Sequence, residues 1–378
     1  MYLKSEALDD EDDISSEKAK EDLIESCLEA TPPNVERLRQ MCVLPRGILT
    51  NRLRKKVWPA ILGVTEEDLS QAQPTDEELR THRDYNIVEL DVQRLLKRYP
   101  PDLSEEERLN LETSLKRIIM RTIFGTNYHY YQGFHDIAIT IHLVLVDEDL
   151  SVAVLKRLCQ SHFHVFMMPT LVETSEMLQF IYPLIDRCDP DLHDFLLRSN
   201  IGTMFALPWL ITWYGHNIQE NVPYNLVVRL CDLFIATDQH MPIYLGAAIV
   251  ASLTDQIFAQ PEDQAEVHGF LNRCLNTSMP WETLINEALD LYLQYPPASI
   301  ASEAATYRDR PDVDRPGKQR GGATTSRTTK VNKATEDNFK WWMTAGLVVS
   351  VAVVVIAVGV AKFYRVSLPA DENKTSNS

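Results

Sequence analysis

Between Val35 and Leu293 apolar residues recur every three to four positions, and no window sustains the strict alternation of a half-buried strand. One stretch is representative. Leu109, Leu111, Leu115, Ile118, Ile119 and Ile123 fall mostly on one helical face, Ser104 with Glu107 forms a capping box ahead of them, and Gly125 stands where the helix would stop. Pro183, Pro190, Pro208, Pro223 and Pro242 divide the C-terminal half of the patterned region into further helices. Met241 to Leu253 is uncharged but too short to span a bilayer, so it predicts a buried core helix. Together these patterns predict an all-α domain over residues 35–293. No Gly-rich strand-to-helix turn appears, so neither a Rossmann fold nor a phosphate-binding loop is supported.

The pattern fades at both ends. Residues 1–34 carry an acid run, Asp9 to Asp13, and read as an acidic, partly disordered arm in which Leu23 to Leu28 is predicted as a docking helix. From Pro296 onward Pro, Gly, Ser and Thr become frequent, and residues 294–340 are expected to be a flexible linker. Its stretch from Arg315 to Lys333 holds six basic residues and no acidic one, which fits either attraction to an anionic bilayer surface or ordinary linker solubility. Residues 341–361 are uncharged and apolar; as a helix they would reach roughly 31 Å at about 1.5 Å per residue, enough for a hydrocarbon core of about 30 Å. A short tail, 362–378, completes the chain. The opening MYLKSEALDDEDD has no apolar signal core, so the apolar run is expected to act as a tail anchor with the preceding residues in the cytosol.

Composition narrows the field. A net charge of −17 over 378 residues argues against a nucleic-acid partner, which requires clustered Lys and Arg. The six cysteines are scattered with no C-x-x-C pair, as expected of structural thiols rather than a disulfide framework or zinc site. His162 and His164 lack a third ligand at suitable spacing, and no nucleophile setting such as G-x-S-x-G is present. Asn373-Lys374-Thr375 is an N-glycosylation sequon in the tail.

Two segments carry candidate chemistry: VELDVQR (Val88 to Arg94) and NYHYYQGFHDI (Asn127 to Ile137). On a helix Asp91 and Arg94 share a face, either as a plain ion pair or as a carboxylate orienting a guanidinium. The second segment gathers polar and aromatic groups at the mouth of an apolar helix, which suits either a capping knot or a working site.

The pair V-x-x-D-x-x-R and Y-x-Q-G resembles the signature of the TBC domain, the Rab GTPase-activating module, with Val88, Asp91, Arg94, Tyr130, Gln132 and Gly133 in the motif positions. RKKVWPAILG (Arg54 to Gly63), LPWLITWYGHNI (Leu207 to Ile218) and RLCDLFIA (Arg229 to Ala236) extend the resemblance over residues 46–258. Val88 stands for the usual Ile, Leu95 for Thr, His129 for Gly and His135 for Asn. With the apolar C-terminal run, the similarity points to a membrane-anchored, endoplasmic-reticulum type of TBC protein acting on Rabs of ER-to-Golgi traffic.

The resemblance implies that Arg94 is an arginine finger and Gln132 a glutamine finger, supplied in trans to a GTP-bound Rab. Asp91 would hold Arg94, while Tyr130 by packing and Gly133 by admitting the partner's backbone would shape the turn presenting Gln132. Mg2+ and GTP would belong to the Rab, so no cofactor and no independent reaction are expected of this chain. The alternative is a non-catalytic, membrane-anchored Rab-binding tether or scaffold using the same groove.

Overall fold

The computed structural model describes residues 16–218, 224–276 and 278–308. Among them every regular element is helical. The principal helices are α1 (Glu17–Glu29), α2 (Val35–Val43), α3 (Asn51–Leu62), α4 (Tyr85–Leu96), α5 (Glu105–Ile123), α6 (Phe134–Leu145), α7 (Glu148–Leu158), α8 (Ile181–Cys188), α9 (Tyr224–Ala236), α10 (Met241–Ser252), α11 (Trp281–Gln294) and α12 (Pro297–Arg308), with shorter helical turns between them. The predicted start of α5 is observed: Ser104 accepts the Glu107 amide while the Glu107 carboxylate accepts the Ser104 amide.

Two helices form the centres around which the others pack. α6 is buried almost throughout and is contacted by α3, α4, α5, α7 and α9. α10, the uncharged stretch, is the second centre: Met241 to Val250 are all buried, and α8 and α11 pack against it. A helix apolar all round has no solvent face to offer, and enclosure on every side is the packing consequence.

A buried polar knot ties α3 to α9. Asp232, fully buried, accepts from Arg54 Nη2 at 2.8 Å, Trp58 Nε1 at 2.8 Å and the Ile48 amide at 2.9 Å. A carboxylate out of water needs its lone pairs filled, and these donors fill them. Gly47 makes the approach possible: its φ is +54°, and a Cβ there would lie 2.3 Å from Asp232 Oδ2.

Both ends of the domain reach further than the periodicity predicts. α1 begins at Glu17, capped by Ser16, and docks Ile24 and Cys27 into the core while Lys20 Nζ donates to the Pro45 carbonyl at 3.0 Å. At the other end α12 occupies the beginning of the segment expected to be linker. Ile300 and Ala304 are buried, Tyr307 stacks on Tyr182 at 5.2 Å, and Glu303 pairs with Arg187 at 2.6 Å. PASIASEAATYR is rich in Ala and Ser and has Ile300 as its one large aliphatic residue, so its helix is set by docking on α8. Among the described residues no helix is long and apolar enough to cross a membrane. The acid run at 9–13, the basic stretch, the apolar run at 341–361 and the sequon lie outside the described residues.

Candidate functional site

α4 presents two unlike faces. Val88, Val92, Leu95 and Leu96 are fully or almost fully buried, whereas Ile87, Leu90 and Arg94 share the solvent face, the arginine side chain 47% exposed. Asp91 lies at the boundary and is 3% exposed. Its Oδ1 accepts from Arg94 Nη1 at 3.2 Å, and its Oδ2 accepts from the Tyr130 hydroxyl at 3.1 Å. One carboxylate therefore joins the arginine to the segment that carries Gln132.

A second link lies at the start of the same helix. Asp84 occupies the N-cap position, but its side chain does not cap α4; Oδ2 accepts instead from the Tyr130 amide at 3.0 Å. Beside it, Arg83 Nη2 donates to the Tyr128 carbonyl at 2.9 Å. Residues 128–130 are thus pinned along α4, and Gln132 emerges into solvent two residues later. Burial, and next to it the Asp91 carboxylate, push the Tyr130 phenol well above its ordinary value, which keeps the hydroxyl a donor.

The far side of the glutamine segment rests on residues 211–216. The Tyr131 hydroxyl donates to the Ile211 carbonyl at 3.0 Å. Gly133 has φ +116°, and a Cβ there would meet Thr212 Cγ2 at 2.9 Å. The close approach at this glycine is thus to its own chain. Trp213 and Tyr214, both buried, have positive φ in succession, and Tyr214 is held by its hydroxyl on the Pro242 carbonyl at 2.7 Å. Such conformations cost about 1–3 kcal/mol each and persist only where packing enforces them. The segment LPWLITWYGHNI is therefore the platform beneath Gln132.

Gly133 opens α6, and Asp136 follows in its first turn, 1% exposed. Its Oδ2 lies 3.3 Å from His216 Nδ1 and 3.8 Å from His135 Nε2. Burial opposes its charge, but the His216 side chain and Arg98 outweigh that and hold the carboxyl below the usual range. The helix N-terminus adds to the same effect.

The sequence-predicted residues thus come together. Asp91, Arg94 and Tyr130 are directly bonded, Gln132 and Gly133 follow on the pinned segment, and both Arg94 and Gln132 are exposed. Tyr130 acts by hydrogen bonding, not only by packing. Ile87, Leu90, Asp84 and His135 were not predicted as site residues. The three-and-four spacing of Ile87, Leu90 and Arg94 is visible in the sequence, but nothing there tells an exposed apolar face from a buried one. Among the described residues no cluster of side chains is suited to a metal ion.

A profile of the Rab-GTPase-TBC domain matches residues 51–258. The chain is 40% identical to human TBC1 domain family member 20 over 284 residues, 75% of this chain and 69% of that protein. It is 31% identical to GTPase-activating protein gyp10 of Schizosaccharomyces pombe over 219 residues, 57% of each. Among solved structures, the Ypt/Rab-GAP domain of Gyp1p superposes with a TM-score of 0.60 at 17% identity, covering 74% of this chain and all of that one, and so shares its fold. The Chlamydomonas flagellar RabGAP TBC domain gives a TM-score of 0.52 at 15% identity, over 69% of this chain and 85% of that one. On the profile match and the close relatives together, the chain belongs to the Rab-GTPase-TBC domain family.

Proposed function

We propose that this protein accelerates GTP hydrolysis by a Rab of ER-to-Golgi traffic, inserting Arg94 and Gln132 beside the Rab-bound nucleotide. The observation that supports this reading most is that both side chains are exposed while their supports, Asp91 and Tyr130, are bonded to each other. Hydrolysis is slow when charge growing on the phosphate oxygens is incompletely neutralised and the attacking water is poorly held. The Arg94 guanidinium offers a permanently charged planar fork to those oxygens. In this reaction class such an arginine contributes roughly 10³ to 10⁵ in rate. The Gln132 carboxamide orients the water, accepting from it and donating to a phosphate oxygen. Mg2+ and GTP stay with the Rab.

Residues 341–361 are assigned as the anchor that holds this activity at the endoplasmic reticulum membrane. The run is 21 residues long and rich in Val and Ala, enough to span an endoplasmic reticulum bilayer of about 27 Å with some tilt. Fusing it to a fluorescent reporter tests the assignment, and mitochondrial labelling would overturn it.

The activity is tested by single-turnover hydrolysis on a panel of GTP-loaded Rabs, with the full-length chain in detergent micelles. At least one Rab is expected to be accelerated, and Arg94→Ala and Gln132→Ala are expected to abolish most of the effect. A chain that bound GTP-loaded Rab without hastening turnover would instead be a tether.

A further inference from the structure

His135 is the second residue of α6 and is 5% exposed. Its Nδ1 lies 2.7 Å from the Tyr130 hydroxyl and 3.3 Å from the Gly133 amide nitrogen. An amide nitrogen only donates, so Nδ1 is an acceptor and the ring hydrogen sits on Nε2. Nε2 faces the buried Asp136 carboxylate, 3.8 Å away. That is too long for a hydrogen bond, yet a negative charge at this distance in an enclosed setting favours the tautomer with its hydrogen on Nε2. Tyr130 has one hydrogen to place between His135 Nδ1 and Asp91 Oδ2, both within 3.1 Å of its oxygen. Arg94, Asp91, Tyr130, His135 and Gly133 therefore form one chain of contacts, and Gln132 lies between two of its members.

We propose that His135 is a positioning residue for GTP hydrolysis, its single ring acceptor fixing the two residues that bracket Gln132. The inference rests on the reading of Gln132 as the water-orienting group. Removing the acceptor strands the buried Gly133 amide and leaves the Tyr130 hydroxyl to Asp91 alone, which lets the Gly133 end of the glutamine segment shift without disturbing the exposed face of α4. A displacement of about 1 Å at a reacting group costs on the order of 100-fold in rate. An asparagine Oδ1 stands the same number of bonds from Cα as a histidine Nδ1, so it can accept from both donors.

The test measures kcat and KM separately, for the full-length chain in micelles with a Rab that the wild type accelerates. His135→Phe keeps the ring and loses the acceptor; kcat is expected to fall about 10- to 100-fold with KM unchanged. His135→Asn is expected to recover most of the loss, which a purely space-filling role would not allow. An unaffected phenylalanine variant, or phenylalanine and asparagine variants that fall equally, would overturn the inference. Should the phenylalanine variant not fold, Tyr130→Phe carries the test: it removes one of the two donors, and an unchanged kcat would overturn the inference as well. A wild type that accelerated no Rab would overturn the proposed function, and this inference with it. An active wild type with an unaffected phenylalanine variant would overturn this inference alone.

Discussion

Ile87 and Leu90 are 53% and 51% exposed, and they line up with Arg94 on the open face of α4. Large apolar side chains left open to water beside an arginine lose that exposure when a partner covers them, and the burial favours binding. Replacing both with Ser is expected to raise KM for the Rab about tenfold, or about 1.4 kcal/mol, with kcat and melting temperature little changed. Steady-state kinetics with a melting curve checks this, and an unchanged KM would place the docking surface elsewhere. Val146 is a different kind of exception. It ends α6 in the left-handed region at φ +65°, where a β-branched residue is strained, and it is 66% exposed, so it buries little in return. Val146→Gly is expected to stabilise the domain by about 1 kcal/mol, read as a rise of a few degrees in melting temperature.

At the scale of elements, the knot at Asp232 decides whether α9 stays on α3. Asp232→Ala leaves the Arg54 guanidinium, 7% exposed, without its counter-charge and the Trp58 ring nitrogen without an acceptor. A loss of about 3–5 kcal/mol is expected from denaturant titration, because stranding one member of a buried pair costs more than the pair contributes. The elements also show which information the sequence carries. α5 is legible because its apolar spacing and its capping box are both local. α10 is legible because thirteen uncharged residues have nowhere to go but inside. α12 is not legible, since its helix depends on Ile300, Ala304 and Tyr307 meeting α8, a contact made across more than a hundred residues. Within the site, Arg94 and Gln132 are legible through their motifs. His135 appears in the sequence only as a substitution for a usual Asn, and its acceptor role needs the backbone turn at Gly133 to become visible.

Across the whole molecule the cysteines set the response to alkali. Cys27, Cys42, Cys159, Cys231 and Cys274 are buried thiols, and burial raises the pKa of each above its ordinary value of 9.0, Cys274 to about 12. The unfolded chain then gives up these protons first. Stability is therefore full below pH 9 and declines above it, by about 1.4 kcal/mol per pH unit for each thiol whose folded value lies well above the prevailing pH. Lys20 and Lys156 oppose this, since burial lowers both ammoniums, Lys20 to about 8, but they are two groups against several. Under reducing conditions the urea midpoint is expected to drop sharply between pH 9 and pH 11, and a flat profile would contradict the enclosed thiols. The shared carboxylate at Asp91 has a consequence of another kind. Because a single anchor serves both proposed fingers, a lesion in the anchor is epistatic to lesions in them: once Asp91 is lost, deleting Arg94 or Gln132 costs less than it does alone, and the double variant falls short of the product of the single losses.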